Sequence, residues 1–336
     1  MQIAIIRLSA LGDIVNSLFI LDFIKSAHPD ATIDWITEEA FAPLLREHPL
    51  IDNVRTVALK RAKKERSFAV LKETVASLRS LPPYDRVIDL QGLIKSAVIG
   101  KLTGSPLHGF DRESLREGTA AWLYNSHSHI PYRENAMLRT AKIVSDALSL
   151  EITREALLAK KPAFALKPLK PELQALLAGE MPNIVFTLGS SWPSKVYPKE
   201  RFTELAALLE GNILLVWGSP EEQEMAAYIQ QHVKHCSIAP KLSVYELMQL
   251  VGHAELTVGN DSGPTHMAWA MNRPSITLFG PTPAYKMMFE TPINLAIESD
   301  SKVDPMKLNR EDFSITTIMP EKVAAAARRL LKVSLP

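Results

Sequence analysis

The chain has 336 residues, of which 46% are hydrophobic and 22% charged, with a formal net charge of +1. This composition is that of a globular protein of about two domains, and the near-neutral charge gives no global argument for a nucleic-acid partner. The single cysteine, Cys236, excludes an intrachain disulfide and a cysteine-built zinc site. No apolar run reaches membrane-spanning length and no secretory signal is evident, so we expect a cytoplasmic protein.

Short apolar runs alternate with longer amphipathic segments along the whole chain. Nearly continuous apolar strands between helices predict an α/β fold in which parallel sheets are covered on both faces. The predicted strands are 2–8, 32–37, 85–90, 183–188, 212–217, 254–259 and 275–280. The predicted helices are 14–27, 67–80, 93–103, 134–149, 199–210, 220–233, 243–251 and 264–271.

A proline- and lysine-rich stretch, AKKPAFALKPLKP at 159–171, interrupts this alternation and predicts the connection between two domains. We expect an N-terminal doubly wound domain over 1–165, a C-terminal one over 172–315 and a terminal helix over 320–336. Two such domains facing each other would share one cleft, and ligands of doubly wound sheets bind beyond the carboxyl ends of the strands. Functional residues are therefore expected in the turns that follow the strands.

The first of these turns is RLSALGDIV, residues 7–15, in which Gly12 permits the turn and Asp13 begins a helix. A carboxylate at this place would repel a phosphate. Asp13 is either a helix N-terminal acid, favoured by the helix dipole, or a general base. An acceptor hydroxyl attacks poorly until a nearby carboxylate takes its proton, which is the chemistry that the catalytic interpretation assigns to Asp13.

Basic and polar side chains follow the other strands of the first domain. The run RTVALKRAKKER (55–66) is by default a solvated surface, but it follows a strand-like TVAL and can attract an anionic substrate or membrane. An acceptor that carries carboxylates or phosphates would suit such a basic surface. The predicted acceptor-binding residues are Ser9, Gly12, Lys60, Arg61, Lys63, Lys64, Gln91, Lys95, Arg112 and Arg116.

Four loops of the second domain together describe a nucleotide-diphosphate pocket. TVGNDSGPTHMAWAMN (257–272) is either just a well-capped helix or a helix N-terminus that holds a diphosphate. Lys195 would pair with phosphate as a mobile point charge, and Glu222 would accept ribose hydroxyls or only favour its helix start. The predicted donor-binding residues are Lys195, Trp217, Gly218, Glu222, Lys241, Leu242, Asp261, Ser262, Gly263, Thr265 and His266.

Several familiar chemistries have no motif in this sequence. It lacks the GxxxxGK[ST] of phosphate-loop NTPases and a GxGxxG after the first strand, and GNDSG is not the GxSxG of serine hydrolases. HVKHC (232–236) and HSH (127–129) resemble metal ligands, but they lack a further ligand set and are expected away from the cleft. We therefore predict no metal and no cofactor.

The motifs together resemble the ADP-heptose:lipopolysaccharide heptosyltransferases, glycosyltransferase family 9. The resemblance runs nearly the full length through LSALGDIVNSL, DLQGLIKSA, SSWPSKVYPKERF, VWGSPEEQEMA and GNDSGPTHMAWAMNRPSITLFGPT. It implies the GT-B fold, two Rossmann-like domains around a cleft with the donor on the C-terminal one. It also implies ADP-L-glycero-D-manno-heptose as donor, an inner-core lipopolysaccharide sugar as acceptor, and metal-free transfer with inversion.

The resemblance assigns roles to particular residues. Asp13 falls on the general base, Lys195 on the donor-phosphate lysine and Glu222 on the ribose ligand. Asp261 falls on an acid that binds heptose hydroxyls, whereas Ala10 departs from the Ser or Trp of many members. The loop SSWPS also departs from the acid-containing loop of some type I members. The diphosphate loop is matched by Ser262, Gly263 and His266.

The basic run at 60–64 resembles that of the type I enzymes, which add the first heptose to Kdo of Kdo-lipid A. The implied partners are ADP-heptose, Kdo-lipid A and, peripherally, the anionic cytoplasmic face of the inner membrane. The segment 320–336 resembles the helix that crosses back to the first domain, and its basic face can touch a bilayer. The alternatives are a type II enzyme that adds the second heptose, a GT-B sugar-nucleotide epimerase, and a non-catalytic binding protein.

Overall fold

The computed structural model describes residues 1–177 and 179–334. The chain divides into two compact units, Met1–Lys161 and Pro162–Pro336, and this boundary falls within the predicted connection at 159–171. Each unit is built on one six-stranded sheet whose neighbouring strands are parallel, with helices between the strands. The predicted α/β class with two doubly wound sheets is confirmed.

The first unit has the strand order β3-β2-β1-β4-β5-β6, so the order reverses between β1 and β4. Ile5 of β1 pairs with Trp35 on one side and Ile88 on the other. The strands are β1 Gln2–Ile6, β2 Thr32–Glu38, β3 Asn53–Val57, β4 Arg86–Asp89, β5 Leu107–Phe110 and β6 Ser126–Ser128. The helices are α1 Leu11–Val15, α2 Ile20–Ala27, α3 Ala42–Arg46, α4 Leu59–Glu65, α5 Phe68–Arg79, α6 Ile94–Leu102, α7 Ala136–Leu148 and α8 Arg154–Leu158.

The second unit repeats this plan with the strand order β12-β11-β10-β7-β8-β9. Val258 of β10 pairs with Phe186 and Ile276 on its two sides. The strands are β7 Asn183–Thr187, β8 Asn212–Val216, β9 Cys236–Ile238, β10 Leu256–Asn260, β11 Ser275–Phe279 and β12 Asn294–Glu298. The helices are α9 Pro171–Leu176, α10 Lys199–Leu208, α11 Pro220–His232, α12 Val244–His253, α13 Gly263–Ala270, α14 Ala284–Met287 and α15 Pro320–Ser334.

The central strands form because their side chains are buried on both faces of the sheet. All five residues of β7, NIVFT, and of β10, LTVGN, are buried, as expected for strands that helices cover on both sides. The helices present one apolar face to the sheet, and several begin with a side-chain cap. In α12 the Ser243 hydroxyl accepts the Glu246 N–H at 3.2 Å while the Glu246 carboxylate accepts the Ser243 N–H at 2.8 Å.

The predicted helix 14–27 is wrong in one respect, because it is two helices, α1 and α2, separated at residues 16–19. Backbone bonds here span three residues, from the Ser17 N–H to Ile14 and from the Leu18 N–H to Val15. The Ser17 hydroxyl also donates to the Asp13 carbonyl at 2.7 Å. A hydroxyl that bonds back to the preceding turn competes with regular helix geometry, which accounts for the break.

The terminal helix α15 packs on α10 and on β10 and β11 of its own unit. Val323, Ala324, Ala327 and Leu330 belong to the core cluster of that unit, so the apolar face of the helix is occupied. That it also reaches back toward the first domain stays a prediction, and residues 335–336 of the predicted segment lie outside the described residues. Across the described part of the chain, no helix combines the length and apolarity needed to cross a membrane.

Candidate active site

The predicted donor-binding residues all lie beyond the carboxyl ends of strands in the second sheet. Lys195 follows β7, Trp217 and Gly218 follow β8, and Glu222 lies in the first turn of α11. Lys241 and Leu242 follow β9, while the remaining five stand at the end of β10 and in the first turn of α13. This edge is where a doubly wound sheet binds its ligands.

A buried ion pair between Lys195 and Asp261 is the centre of this edge. The Lys195 ammonium lies 2.7 Å from Oδ2 of Asp261, and the two side chains are 8% and 3% exposed. His266 Nε2 lies 3.0 Å from Oδ1 of the same carboxylate, and the Thr282 hydroxyl donates to Oδ2 at 2.8 Å. Asp261 therefore joins the turn after β7, the start of α13 and the turn after β11.

The neighbours of Asp261 keep its carboxylate charged although it is buried. Burial alone would raise the pKa of this carboxyl, but Lys195 and His266 beside it outweigh that effect, and the net result lowers the pKa well below its usual range. Asp261 is therefore ionised at neutral pH. Lys195 is not the mobile point charge predicted from the sequence, because it is buried in the short 3₁₀ helix Pro193–Lys195 and fixed by its partner.

A second network, made of hydrogen bonds, holds the loop that carries Asp261. The Asn260 side chain accepts the Tyr197 N–H at 2.9 Å and donates to the Leu188 carbonyl at 2.7 Å. The Thr265 hydroxyl bonds to Thr187 Oγ1 at 2.7 Å and donates to the Asn260 carbonyl at 2.6 Å, and Thr265 is fully buried. The Thr265 hydroxyl thus holds β7, β10 and α13 together, and a role for it in ligand binding stays a prediction.

Glu222 lies between the turns that follow β7 and β8. Its carboxylate accepts the Gly218 N–H at 2.7 Å, and a Cβ added to Gly189 would come within 1.9 Å of its Oε1. Only glycine at 189 leaves this space for the carboxylate. Beside it, Lys241 Nζ lies 5.9 Å from the centroid of the Trp217 ring, which is a cation–π contact. A hydrogen-bond acceptor and an aromatic side chain thus lie on neighbouring turns, and the predicted binding of a ribose and a base here stays a prediction.

In the first unit, Asp13 lies beyond the carboxyl end of β1 with its side chain 40% exposed. The Arg7 guanidinium, 11% exposed, lies 3.1 Å from Asp13 Oδ1, and it also donates to the Leu90 carbonyl. The Ala10 N–H lies 3.3 Å from Asp13 Oδ2. The carboxylate is therefore oriented by two donors and still open to solvent, which is the geometry that a general base needs.

The predicted residues Ser9 and Gln91 meet at this edge. Gln91 Oε1 accepts the N–H groups of Leu8 and Ser9 at 2.7 and 3.3 Å, and its amide lies 3.4 Å from the Ser9 hydroxyl. The loop that carries Gln91 is held in turn by Asp89, which is completely buried and accepts the Gln91 N–H at 2.9 Å. Gln91 thus fixes the turn before Asp13.

The basic side chains of the first unit are spread over α4, α6 and the loop 111–118. Arg61 makes two bonds to the exposed carboxylate of Glu39, at 2.9 and 3.1 Å. Lys60 and Lys95 act electrostatically on Glu38, a buried acid at the end of β2. Burial raises the pKa of Glu38, and the two lysines only partly oppose that rise. All seven of the predicted basic residues are exposed: Lys60, Arg61, Lys63, Lys64, Lys95, Arg112 and Arg116.

The discounted motif HSH (127–129) lies partly at this edge, contrary to expectation. His129 follows the end of β6, and its Nδ1 lies 2.6 Å from Asp111 Oδ2, which follows β5. His127 instead contacts the Ala121 carbonyl, and His235 of HVKHC contacts the Ala206 carbonyl. Over residues 1–177 and 179–334, no three His, Cys, Asp or Glu side chains are placed to share a metal ion.

Sequence reasoning missed four residues that organise these edges: Arg7, Asp89, Asn260 and Thr282. Three of them carry a recognisable signal, since a polar residue directly ends or follows an apolar strand. Thr282, in the turn GPT after SITLF, has the same signal one turn later. What the sequence does not contain is the identity of their distant partners, which are Leu90 for Arg7, Tyr124 for Asp89, Leu188 for Asn260 and Asp261 for Thr282.

Known proteins were compared with this chain. The family model described as "Glycosyltransferase family 9 (heptosyltransferase)" matches residues 76–301. Lipopolysaccharide heptosyltransferase 1 of Campylobacter coli is 38% identical over 344 residues, covering 98% of this chain and 99% of that protein. The Escherichia coli K12 protein of the same name is 30% identical over 300 residues, covering 84% of this chain and 88% of that protein.

Solved structures agree with these sequence relatives. The structure described as E. coli heptosyltransferase WaaC with ADP-2-deoxy-2-fluoro heptose has a TM-score of 0.79 and 26% identity, and it covers 98% of this chain and 99% of that one. The WaaC structure with ADP has a TM-score of 0.81 over 98% of this chain. The expected GT-B fold and the resemblance stated from the motifs are confirmed. The chain belongs to glycosyltransferase family 9.

Proposed function

We propose that this chain is a lipopolysaccharide heptosyltransferase of type I. It transfers L-glycero-D-manno-heptose from ADP-heptose to Kdo of Kdo-lipid A, with inversion at the anomeric carbon and without a metal ion. The observation that carries the proposal is the buried Lys195–Asp261 pair at the N-terminus of α13. The relatives named lipopolysaccharide heptosyltransferase 1 support the choice of type I.

The second unit holds the donor and stabilises the leaving group. Lys195 and the free N–H groups at the start of α13 bind the diphosphate, and Glu222 accepts the ribose hydroxyls. As the bond between the anomeric carbon and the β-phosphate oxygen breaks, its electron pair stays on ADP. A fixed ammonium and a helix N-terminus stabilise that charge without reorganising, which is the role a metal ion has in other transferases.

The first unit supplies the base and the acceptor site. An Asp13 oxygen takes the proton of the acceptor hydroxyl while the hydroxyl oxygen bonds to the anomeric carbon on the face opposite ADP. Arg7 keeps the carboxylate oriented for this step. The exposed basic residues of α4 suit the carboxylates and phosphates of a Kdo-lipid A acceptor, and this lipid-linked substrate places the enzyme at the anionic cytoplasmic face of the inner membrane.

The test is ADP release from ADP-heptose with and without de-acylated Kdo-lipid A. Release that depends on this acceptor is expected, and it should persist in EDTA and give a product of inverted anomeric configuration by NMR. Release only with a heptose-bearing acceptor would instead establish a type II enzyme. Isomerisation of the sugar nucleotide without any acceptor would point to an epimerase, and no reaction with either acceptor would refute the donor assignment.

The base assignment has a matched control within the same unit. Asp13 and Asp52 are 40% and 41% exposed and lie 3.1 and 3.3 Å from a cationic partner. Asp13→Asn should abolish turnover while ADP affinity, measured by calorimetry, is unchanged. Asp52→Asn should leave turnover within about twofold of the wild-type rate, as expected for a surface ion pair worth little. Turnover retained in Asp13→Asn would refute the assignment.

A further inference from the structure

Large apolar side chains are exposed together on one side of the first unit. Phe68 is 87% and Trp122 75% exposed, and Leu71, Ile94 and Val98 are between 41% and 45% exposed. We call these five residues the apolar surface. Exposed apolar groups scattered singly need no explanation, but a continuous group of them marks an interaction site.

The elements that carry the apolar surface are neighbours in the first unit. Helix α4 packs against α5, α5 against α6, and α6 against the 3₁₀ helix Gly118–Leu123 that carries Trp122. Phe68 and Leu71 are three residues apart on α5, and Ile94 and Val98 are four apart on α6, so each pair shares one helix face. The faces of α5 and α6 that pack inward use other side chains, such as Val70, Leu78, Ala97 and Ile99.

This surface borders the edge that carries the proposed base. Helices α5 and α6 each return from the carboxyl end of one parallel strand to the start of the next. Their first turns, which hold Phe68 and Ile94, therefore lie toward the carboxyl edge of the sheet, where Asp13 follows β1. A lipid-linked acceptor bound at that edge would have its lipid part beside the apolar surface.

The charge next to the apolar surface is positive on balance, although Glu73 is exposed on α5 and Glu117 accepts the Ile94 N–H at 3.0 Å. Helix α4, which packs directly on α5, exposes Lys60, Lys63 and Lys64, and Arg66 follows at its end. Glu65 is the acid within this helix, and Arg61 is neutralised by Glu39. Lysines beside exposed aromatic rings are the combination that binds an anionic bilayer, because the cations meet the headgroups while the rings enter the boundary with the acyl chains.

We propose that the apolar surface, together with the lysines of α4, is the membrane-docking face of this protein and that it binds anionic bilayers with Phe68 and Trp122 inserted. The inference deepens the proposed function, which requires access to a lipid-linked acceptor. Vesicle binding does not require donor or acceptor, so the inference and the proposed function are tested separately.

The experiment is sedimentation with vesicles of phosphatidylcholine alone or with 30% phosphatidylglycerol. The full-length protein should bind the anionic vesicles at least tenfold more strongly than the neutral ones. Phe68→Ser/Trp122→Ser should weaken that binding at least tenfold, and Lys63→Gln/Lys64→Gln should weaken it by about fivefold per lysine. The matched control, Leu158→Ser/Phe313→Ser, removes two side chains that are 52% and 48% exposed outside this surface and should bind as the wild type does.

Activity measurements distinguish membrane docking from the transfer reaction itself. With de-acylated acceptor in solution, Phe68→Ser/Trp122→Ser should retain the wild-type kcat/KM, whereas with acceptor embedded in anionic vesicles its rate should fall at least tenfold. Equal vesicle binding by this variant and the wild type would overturn the inference, as would equal binding of the wild type to neutral vesicles. Dimerisation of the wild type that the variant abolishes, without vesicle binding, would also overturn it and assign the surface to a second copy.

Discussion

Replacing Lys195 by methionine should destabilise the second unit strongly, because Asp261 would then be a buried carboxylate without its main partner. The two side chains are 8% and 3% exposed and 2.7 Å apart, so water cannot replace the lost cation. Breaking a buried pair by removing one partner costs about 3 to 5 kcal/mol. In a unit of this size that loss lowers the unfolding midpoint by about 6 to 20 °C. Removing both charges, in Lys195→Met/Asp261→Asn, should restore most of the lost stability.

The assay is thermal and urea unfolding of the single and double variants, monitored by circular dichroism. Lys142→Met is the control, because Lys142 and Asp146 are also 2.7 Å apart but are 46% and 31% exposed, and this change should cost under about 0.5 kcal/mol. In kinetic assays Lys195→Met should lose about 10²- to 10³-fold in kcat/KM. The reasoning is refuted if Lys195→Met costs less than about 1 kcal/mol, or if the double variant is less stable than the single one.

Three further predictions concern close packing and pH. Gly189→Ala should leave stability nearly unchanged but weaken ADP binding about tenfold by calorimetry, because the new methyl group displaces the flexible carboxylate of Glu222, 1.9 Å away. Gly259→Ala should cost about 1 to 3 kcal/mol in urea unfolding, because its methyl group would meet Thr187 Oγ1 at 1.8 Å and the fixed Thr187 carbonyl at 2.7 Å. Burial lowers the pKa of His108 to about 4, so the unfolded chain, with a value near 6.5, binds more protons between these pH values. The free energy of unfolding of the first unit should therefore fall by about 3 kcal/mol as the pH drops from 7 to 4, and His108→Gln should reduce this slope.

The strands that the sequence predicted are those buried on both faces, and most of the missed ones lie at sheet edges. QIAII, NIVFT and SITLF are recognisable because nearly every position is apolar or buried. Edge strands β6 and β9, SHS and CSI, have a side open to solvent and no apolar run, and the edge strand β12, NLAIE, has an apolar run of only three residues. The apolar-run criterion thus detects strands with long apolar runs and fails where burial is partial, and it also misses the buried inner strand β5, LHGF, because His108 and Gly109 interrupt its apolar run.

The positions of the site residues were predictable for a related reason, whereas their partners were not. A polar or glycine residue in the turn that follows an apolar strand lies at the carboxyl edge, so Asp13, Gln91 and Asp261 could be placed from the sequence. Gln91 accepts hydrogen bonds from the N–H groups of Leu8 and Ser9 because β1 and β4 are neighbouring strands. The pairing of β1 with β4 depends on the whole sheet and cannot be predicted from the sequence of either strand alone.

The two acids at the strand ends show how burial gives one residue type two roles. Each has its own cation, Arg7 at 3.1 Å for Asp13 and Lys195 at 2.7 Å for Asp261. Asp261 is buried among Lys195, His266 and Thr282, so it stays charged and holds Lys195 in a fixed position. Asp13 is 40% exposed, so its carboxylate stays open to solvent, as the base that we propose requires. An acid beside the proposed anion site is therefore tolerated because it is buried with a cation, whereas the proposed base has to remain accessible.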